Sequence, residues 1–117
     1  MHKLKDLIVY QKALSFTGLV RKTTKSFPKD EFFVLTVQFR RASDSVVLNI
    51  AEGAGNTSNK EFSRFLDYSI RSGFECIGCA DVALSNKYLS QESYNQIVSA
   101  INEIIAMLDG LQKRLRK

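Results

Sequence analysis

The chain has 117 residues, of which 44% are hydrophobic and 25% are charged, a composition that is ordinary for a globular protein and argues against disorder. Its length suits a single domain over residues 1–117 with one buried core. No apolar run approaches the roughly 20 residues that span a bilayer, and charges interrupt the N-terminal segment where a signal peptide would need an apolar core. We therefore expect a cytoplasmic protein with no membrane partner.

The formal net charge of +5 is unevenly distributed along the chain. Residues 1–30 contain seven Lys and Arg side chains against Asp6 and Asp30. A second basic group forms the C-terminal tail and consists of Lys113, Arg114, Arg116 and Lys117. Such a bias favours contact with phosphate backbones or with an acidic partner. The alternative is that these cations only cover the solvated faces of amphipathic helices.

Apolar spacing predicts four helices, taken here in chain order. The first, over about residues 6–26, alternates steps of four and three through Val9, Ala13, Phe16, Val20, Thr23 and Phe27. Pro28 breaks it, because proline disfavours helix at the residue before it. The second runs from about residue 30 to residue 52, and Gly53 and Gly55 are natural C-terminal glycines that should end it.

The third and fourth helices begin at recognisable N-terminal signals. Ser58 and Glu61 form a capping box, in which each side chain can satisfy the other residue's backbone amide. Ser90 is a plausible N-cap for the last helix. Because strand patterning is absent and the connections are short, we predict an all-α fold, an antiparallel up-down-up-down four-helix bundle. That topology would place Lys3 and Lys5 beside the basic tail.

The second predicted helix combines an apolar stripe with a polar one. Heptad spacing relates Phe32, Leu35, Phe39, Ala42, Val46 and Asn49. Gln38, Ser45, Asn49 and Glu52 follow at spacings of seven, four and three, so they stack along one side of the helix. Glu52 lies near the C-terminal end, where the helix dipole disfavours an anion, so it needs a cation nearby. The candidate cations are Arg40, Arg41, Arg64 and Arg71.

Two interpretations of the polar stripe remain open. Gln38, Asn49 and Glu52, with Ser72 and Glu75 from the third helix, could bind a ligand between the two helices. They could instead form a hydrogen-bonded network that fixes helix register and subunit orientation, as buried polar residues do in coiled coils. We favour the structural network.

Metal, redox and enzymatic chemistry are weakly indicated. Cys76 and Cys79 form a C-x-x-C sequence, but a zinc site needs about four ligands and His2 is the one further candidate. The redox alternative needs a βαβ context that is lacking here. A di-iron site requires Glu-x-x-His pairs, which a single histidine cannot supply. We therefore expect two small packed side chains, no metal, no cofactor and no enzymatic activity.

The cations of the first two helices are the candidate nucleic-acid contacts. Lys12, Arg21, Lys22 and Lys25 lie on the outer side of the first helix and suit sequence-independent contact with a phosphate backbone. Arg40 and Arg41 point about 100° apart, so one should lie at an interface and the other should face solvent or phosphate. No aromatic–basic interleaving of the RNA-recognition kind accompanies these cations, so base-specific readout is not indicated.

Several short motifs resemble one protein family over nearly the full chain. They are Asp6-Leu7, Val9-Tyr10-Gln11, Phe27-Pro28, Leu35-Thr36, Arg40-Arg41-Ala42, Asn49-Ile50-Ala51-Glu52-Gly53, Glu61-Phe62 and Phe65-Leu66. In them the chain resembles the four-helix-bundle proteins encoded within intervening sequences of 23S ribosomal RNA genes. It departs from that family at Tyr10, where tryptophan is common, at 47–48, where proline is common, and at Arg71, where the family's glycine usually stands.

The resemblance implies a small homo-oligomer, with a pentameric ring as the expected assembly. Relatives of that family include accessory proteins of diversity-generating retroelements, basic bundles that bind a reverse transcriptase and nucleic acid. No catalytic residues carry over. An apolar surplus beyond one core also indicates self-association and comprises Leu7, Tyr10, Leu14, Val34, Val37 and Ile50. We expect a basic adaptor for RNA, DNA or a nucleic-acid enzyme; the alternative is a structural or protein-binding oligomer.

Overall fold

A computed structural model describes residues 3–4 and 7–116 of the chain. Over these residues it contains helices and no strand, and none of its helices is both long and apolar enough to cross a membrane. The predicted four-helix bundle is confirmed. The helices are α1 (Ile8–Thr24), α2 (Val37–Ala54), α3 (Asn59–Ser85) and α4 (Gln91–Leu115), with a 3₁₀ turn (Lys29–Glu31) and a π-helical turn (Phe32–Thr36) before α2.

Neighbouring helices run in opposite directions. Between α1 and α2, Arg21 contacts Asp44 and Arg40 contacts Thr24, so residue numbers rise along one helix as they fall along the other. The same reversal holds for Val46–Ser69 and Ser45–Ser72 between α2 and α3, and for Asp67–Gln112 and Asp81–Tyr94 between α3 and α4. The bundle measures 44 × 23 × 20 Å.

The apolar stripes predicted from spacing line the single core. Phe39, Phe62, Leu66, Ile97, Ile101 and Leu108 are all fully buried there. In α1 the buried threonine is Thr24 rather than Thr23. Ile50, which we assigned to the apolar surplus, is also fully buried and belongs to the core instead. Burial of these side chains is the main stabilising term, because each contributes about 1.5–3 kcal/mol when removed from water.

Both serine N-caps are present. The amide of Glu61 donates to Ser58 Oγ at 3.3 Å, and the amide of Ser93 donates to Ser90 Oγ at 3.1 Å. The reciprocal half of the expected capping box is not formed, because Arg64 donates to the Glu61 carboxylate at 2.7 Å and draws it along the helix surface. Each cap satisfies one backbone amide that the helix leaves without a partner.

Gly53 does not end the second helix as predicted. It is buried inside α2, and a Cβ at this position would lie 2.8 Å from Phe62 Cδ1 and 2.9 Å from Phe65 Cβ. The helix ends at Ala54, and Gly55 follows with φ of −74°, which any residue adopts. Gly53 is therefore needed for the close approach of α2 to α3 rather than for a left-handed turn.

Arg71 does not obstruct the approach of neighbouring helices. Its side chain is exposed and its guanidinium lies 6.0 Å from the centre of the Tyr68 ring. The close approach on this part of α3 occurs at Gly73, where a Cβ would lie 2.9 Å from Ile105 Cγ1. The residue next to the long cation is Ser72, which turns toward α2.

The π-helical turn changes the start of the second predicted helix. The amide of Val37 donates to the carbonyl of Phe32, five residues earlier, instead of following the α-helical spacing. The wider turn breaks the period that relates Phe32 to Leu35 and Phe39. Leu35 and Phe39 are buried as predicted, whereas Phe32 is 45% exposed.

Candidate nucleic-acid interface and polar network

A three-residue hydrogen-bond chain connects α2 to α3. Ser72 Oγ donates to Ser45 Oγ at 2.8 Å, and Asn49 Nδ2 donates to the Ser45 hydroxyl at 3.0 Å and to the Ser45 carbonyl at 2.9 Å. All three side chains are half-buried. One step toward the core, Ser69 Oγ donates to the Val46 carbonyl at 2.8 Å. These bonds join the helices at a defined register.

The rest of the predicted polar stripe does not join this chain. Gln38, Glu52 and Glu75 are exposed, and no hydrogen bond or ion pair joins their side chains to any other residue that the structure describes. Only Asn49 and Ser72 of the five predicted network residues are linked, through Ser45. Spacing correctly placed the stripe on one side of α2, but that side lies at the rim of the α2–α3 contact, where only the innermost side chains reach across.

The arginines expected near Glu52 have other partners or face solvent. Arg40 Nε donates to Thr24 Oγ1 at 2.9 Å across the α1–α2 contact, and its guanidinium lies 5.9 Å from the centre of the Phe32 ring. Arg64 is bound to Glu61. Arg41 is exposed. Of the adjacent pair Arg40 and Arg41, the first is therefore an interhelical residue and the second is available to solvent.

Three of the predicted phosphate contacts form ion pairs within the bundle. Arg21 donates two parallel hydrogen bonds of 2.8 and 2.9 Å to the Asp44 carboxylate, and this hydrogen bonding raises the pKa of Arg21. The other two pairs are Lys12–Glu103 at 2.7 Å and Lys113–Asp109 at 3.0 Å. All three lie at the surface, where such pairs contribute about 0–1 kcal/mol and can exchange partners.

Four predicted contacts remain exposed without an ion pair to any described residue: Lys22, Lys25, Arg114 and Arg116. Lys117 and Lys5 lie outside the described residues. Lys22 and Lys25 are at the end of α1, whereas Arg114 and Arg116 are at the end of α4. Arg114 lines a groove with Leu7 from the start of α1, so the two pairs lie at opposite ends of the bundle. A 17-residue helix separates them by roughly 25 Å.

A basic and aromatic groove that was not predicted from the sequence lies at the α1–α2 turn. The groove has a volume of about 470 Å³ and includes Lys25, Lys29, Phe32, Phe33 and Arg40 among its lining residues. Phe33 is 86% exposed. These rings and cations come from separate parts of the sequence, and they line one groove because of the fold of the turn. The one sign of this groove in the sequence is that residues 32–34 are three consecutive apolar residues. The buried stripe of a helix requires an apolar residue only at every third or fourth position.

Two polar contacts between α3 and α4 were also not predicted from the sequence. Gln112 is buried and its Nε2 donates to the Ser63 carbonyl at 2.9 Å and to the Asp67 carboxylate at 2.7 Å, which ties α4 to α3. Gln112 follows Leu108 by four residues, so the helical period by itself predicts that it lies on the buried face of α4. Tyr94 donates to Asp81 at 2.6 Å, and that hydrogen bond raises the pKa of Tyr94.

Cys76 and Cys79 are free thiols packed in the core. Burial is the largest cause of the rise in pKa of both thiols, and it brings the pKa of Cys79 to about 11. Both therefore remain protonated near neutral pH, whereas metal binding and disulfide exchange require the thiolate. Among the described residues no group of three or more Cys, His, Asp or Glu side chains converges as a metal site would require.

Comparison with known proteins identifies the family. The family model of the 23S rRNA-intervening sequence protein matches residues 5–110. A crystal structure at 1.70 Å of a protein of unknown function from the S23 ribosomal protein family of Bacteroides thetaiotaomicron has the same fold. Its TM-score is 0.82 at 23% identity, over 91% of this chain and 96% of that chain. No curated protein matches. Because the family match spans most of its length, the chain belongs to the 23S rRNA-intervening sequence protein family.

Proposed function

We propose that this chain is a non-enzymatic, homo-oligomeric adaptor that binds the phosphate backbone of nucleic acid without reading its sequence. The observation that carries the proposal is that four of the predicted phosphate contacts, Lys22, Lys25, Arg114 and Arg116, are exposed and form no ion pair with a described residue. Arg21, Lys12 and Lys113 form ion pairs within the bundle, whereas these four cations are available to an external anion. A backbone polyanion is the partner that such a charge distribution suits best.

Self-association would multiply these contacts. Large apolar side chains are exposed on three helices, namely Ile8, Leu14, Leu48, Phe74 and Val82. Exposed apolar surface of this extent is typical of an interaction surface. The family resemblance points to five subunits, and five copies at +5 each would carry about +25. Weak phosphate contacts displayed together raise avidity without any specific base contact.

The same apolar surface favours a second candidate, a structural or protein-binding oligomer with no nucleic-acid role. Leu48 is 64% exposed on α2 between Arg41 and Glu52, and a protein partner would bury it together with charged neighbours. A nucleic-acid enzyme such as a reverse transcriptase would instead be a partner of the adaptor proposed above. The two candidates differ in their response to salt, since phosphate contacts weaken steeply with ionic strength and apolar contacts do not.

The test is fluorescence anisotropy with duplex DNA and with structured RNA, starting at about 50 mM salt and titrating upward. We expect micromolar or tighter binding. Replacing Lys113, Arg114, Arg116 and Lys117 by Gln should lower the affinity and the slope of its salt dependence. The matched control is the double variant Arg21→Gln/Asp44→Asn, which removes one cation and one anion and should leave both quantities unchanged. Absence of binding at the lowest salt would reject the proposal in favour of the protein-binding oligomer.

A further inference from the structure

We propose that the groove at the α1–α2 turn is a stacking site for a single-stranded nucleic acid, in which Phe33 receives a base and the neighbouring lysines receive the phosphates. This inference rests on the proposed function and adds a site and a strand form to it. The groove is lined by Thr24, Lys25, Phe27, Pro28, Lys29, Phe32, Phe33, Thr36 and Arg40.

Phe33 is the most exposed large apolar side chain of the described bundle, at 86%. Its ring meets that of Phe32 edge to face, with centres 5.0 Å apart and planes at 89°. The π-helical turn holds both side chains on the surface, away from the core stripe that begins at Leu35. An aromatic ring so exposed offers a face on which any base can stack, because every base has a π-surface.

Three cations line the groove together with these rings. Lys25 and Lys29 are exposed and line the same groove, and neither forms an ion pair with a described residue. Arg40 is held by its hydrogen bond to Thr24 with its guanidinium over the Phe32 ring. Of the nearby acids, Glu31 accepts a hydrogen bond from the Tyr88 hydroxyl at 2.8 Å, and Asp30 is exposed outside the groove lining. The charge inside the groove is therefore positive.

The combination of an exposed aromatic ring and nearby lysines fits a single strand better than a duplex or a second copy of this chain. A duplex offers phosphates but keeps its base faces stacked, so it could engage Lys25 and Lys29 without using Phe33. A second copy of this basic chain would have to bring an acidic surface to the groove. An unpaired strand supplies both the anionic backbone and the planar bases that this arrangement fits.

The experiment compares Phe33→Ala, Phe33→Tyr and the control Asn102→Ala, which truncates an exposed side chain on α4. The probes are unstructured RNA and DNA strands of about 16 nucleotides and a duplex of the same length. Because Phe33→Ala removes the ring on which a base stacks, it should weaken single-strand binding by roughly tenfold. Phe33→Tyr and Asn102→Ala should bind as the parent does, and duplex affinity should not change.

Other results would overturn the inference. Unchanged single-strand affinity in Phe33→Ala, with binding of nucleic acid otherwise intact, would remove the stacking site and leave the proposed function standing. A smaller oligomer by light scattering in Phe33→Ala would mean that the patch is an interface between copies, and an equal loss of affinity in Asn102→Ala would mean that the loss is not caused by the Phe33 ring. Failure of the parent protein to bind any probe at low salt would overturn both proposals together.

Discussion

The hydroxyl oxygens of Ser45 and Ser72 lie 2.8 Å apart where α2 crosses α3, and Asn49 donates to the same Ser45 oxygen. Ser45 Oγ thus accepts two hydrogen bonds from side chains that reach it from different directions. A shift of either helix along its axis would break the interhelical bond. The contact fixes the register of the most extensive helix pair of the bundle without placing a charge in the core.

Asn49→Ala should destabilise the bundle by about 1 kcal/mol, because it removes hydrogen bonds in a half-buried position. Glu52→Ala is the matched control on the same helix, and its exposed position predicts an effect within about 0.5 kcal/mol. Urea unfolding of the two variants measures the difference. If Glu52→Ala left stability and oligomer mass intact, as expected, but abolished partner binding, the polar stripe would be a ligand site.

Gly53→Ala should destabilise the bundle by about 1–3 kcal/mol, since the added methyl group would overlap Phe62 and Phe65 at 2.8 and 2.9 Å. Gly78→Ala is the comparison, because a Cβ there meets nothing within 4 Å. That substitution should stabilise α3 by up to about 1 kcal/mol through helix propensity. The midpoints of thermal unfolding should therefore shift in opposite directions, and a Gly53→Ala variant as stable as the parent would contradict the close helix approach.

Stability should fall as pH rises from 9 toward 11. Burial raises the pKa of Cys79 from 9.0 to about 11, so the folded state holds this proton more tightly than the unfolded chain does. The resulting stabilisation is complete below the unfolded pKa and is lost as pH rises through the folded one. Lysines and tyrosines titrate in the same range, so the measurement is the difference between the parent and Cys79→Ala. A parallel pH dependence in the two proteins would rule out the buried thiol as a cause.

Lys22 and Lys25 should contribute to nucleic-acid binding independently of the C-terminal cations. The two sets lie roughly 25 Å apart at opposite ends of the bundle. Replacing Lys22 and Lys25 by Gln should therefore lower the salt slope additively with the tail variant on a long duplex. On a duplex too short to reach both ends of one bundle, the losses should not add. If the two losses did add on the short duplex, the two sets of cations would have to lie close together in the oligomer.

Assembly is tested by light scattering at micromolar concentration. The exposed apolar side chains predict a stable oligomer, and the family resemblance predicts five subunits. Leu48→Lys should reduce the mass if α2 lies in the interface, because it places a charge where water is excluded. The control is Asn102→Lys at an exposed position on α4, which should leave the oligomer mass unchanged. A stable monomer of the parent protein would contradict the oligomer.

The sequence predicted the bundle because helix formation here depends on local information. Apolar residues at steps of three and four identify the buried face of each helix, and Ser58 and Ser90 mark helix starts through bonds to amides only three residues away. The Asn49 side chain was assigned to the correct side of α2 by the same periodicity. Such signals require no knowledge of which helices are neighbours.

Which side chains contact one another within the bundle depended on the tertiary structure. Arg21 and Asp44, 23 residues apart in sequence, neutralise each other only because α1 and α2 pack antiparallel at one register. The wider π-helical turn placed Phe32 outside its predicted stripe and brought it with Phe33 beside Lys25, a juxtaposition that sequence spacing does not contain. Periodicity specifies the face of a helix on which a residue lies. Its depth in the helix contact and its partner are set by the packing of separate helices, which decided that Ser45 is bonded to Ser72 and Glu52 is exposed to water.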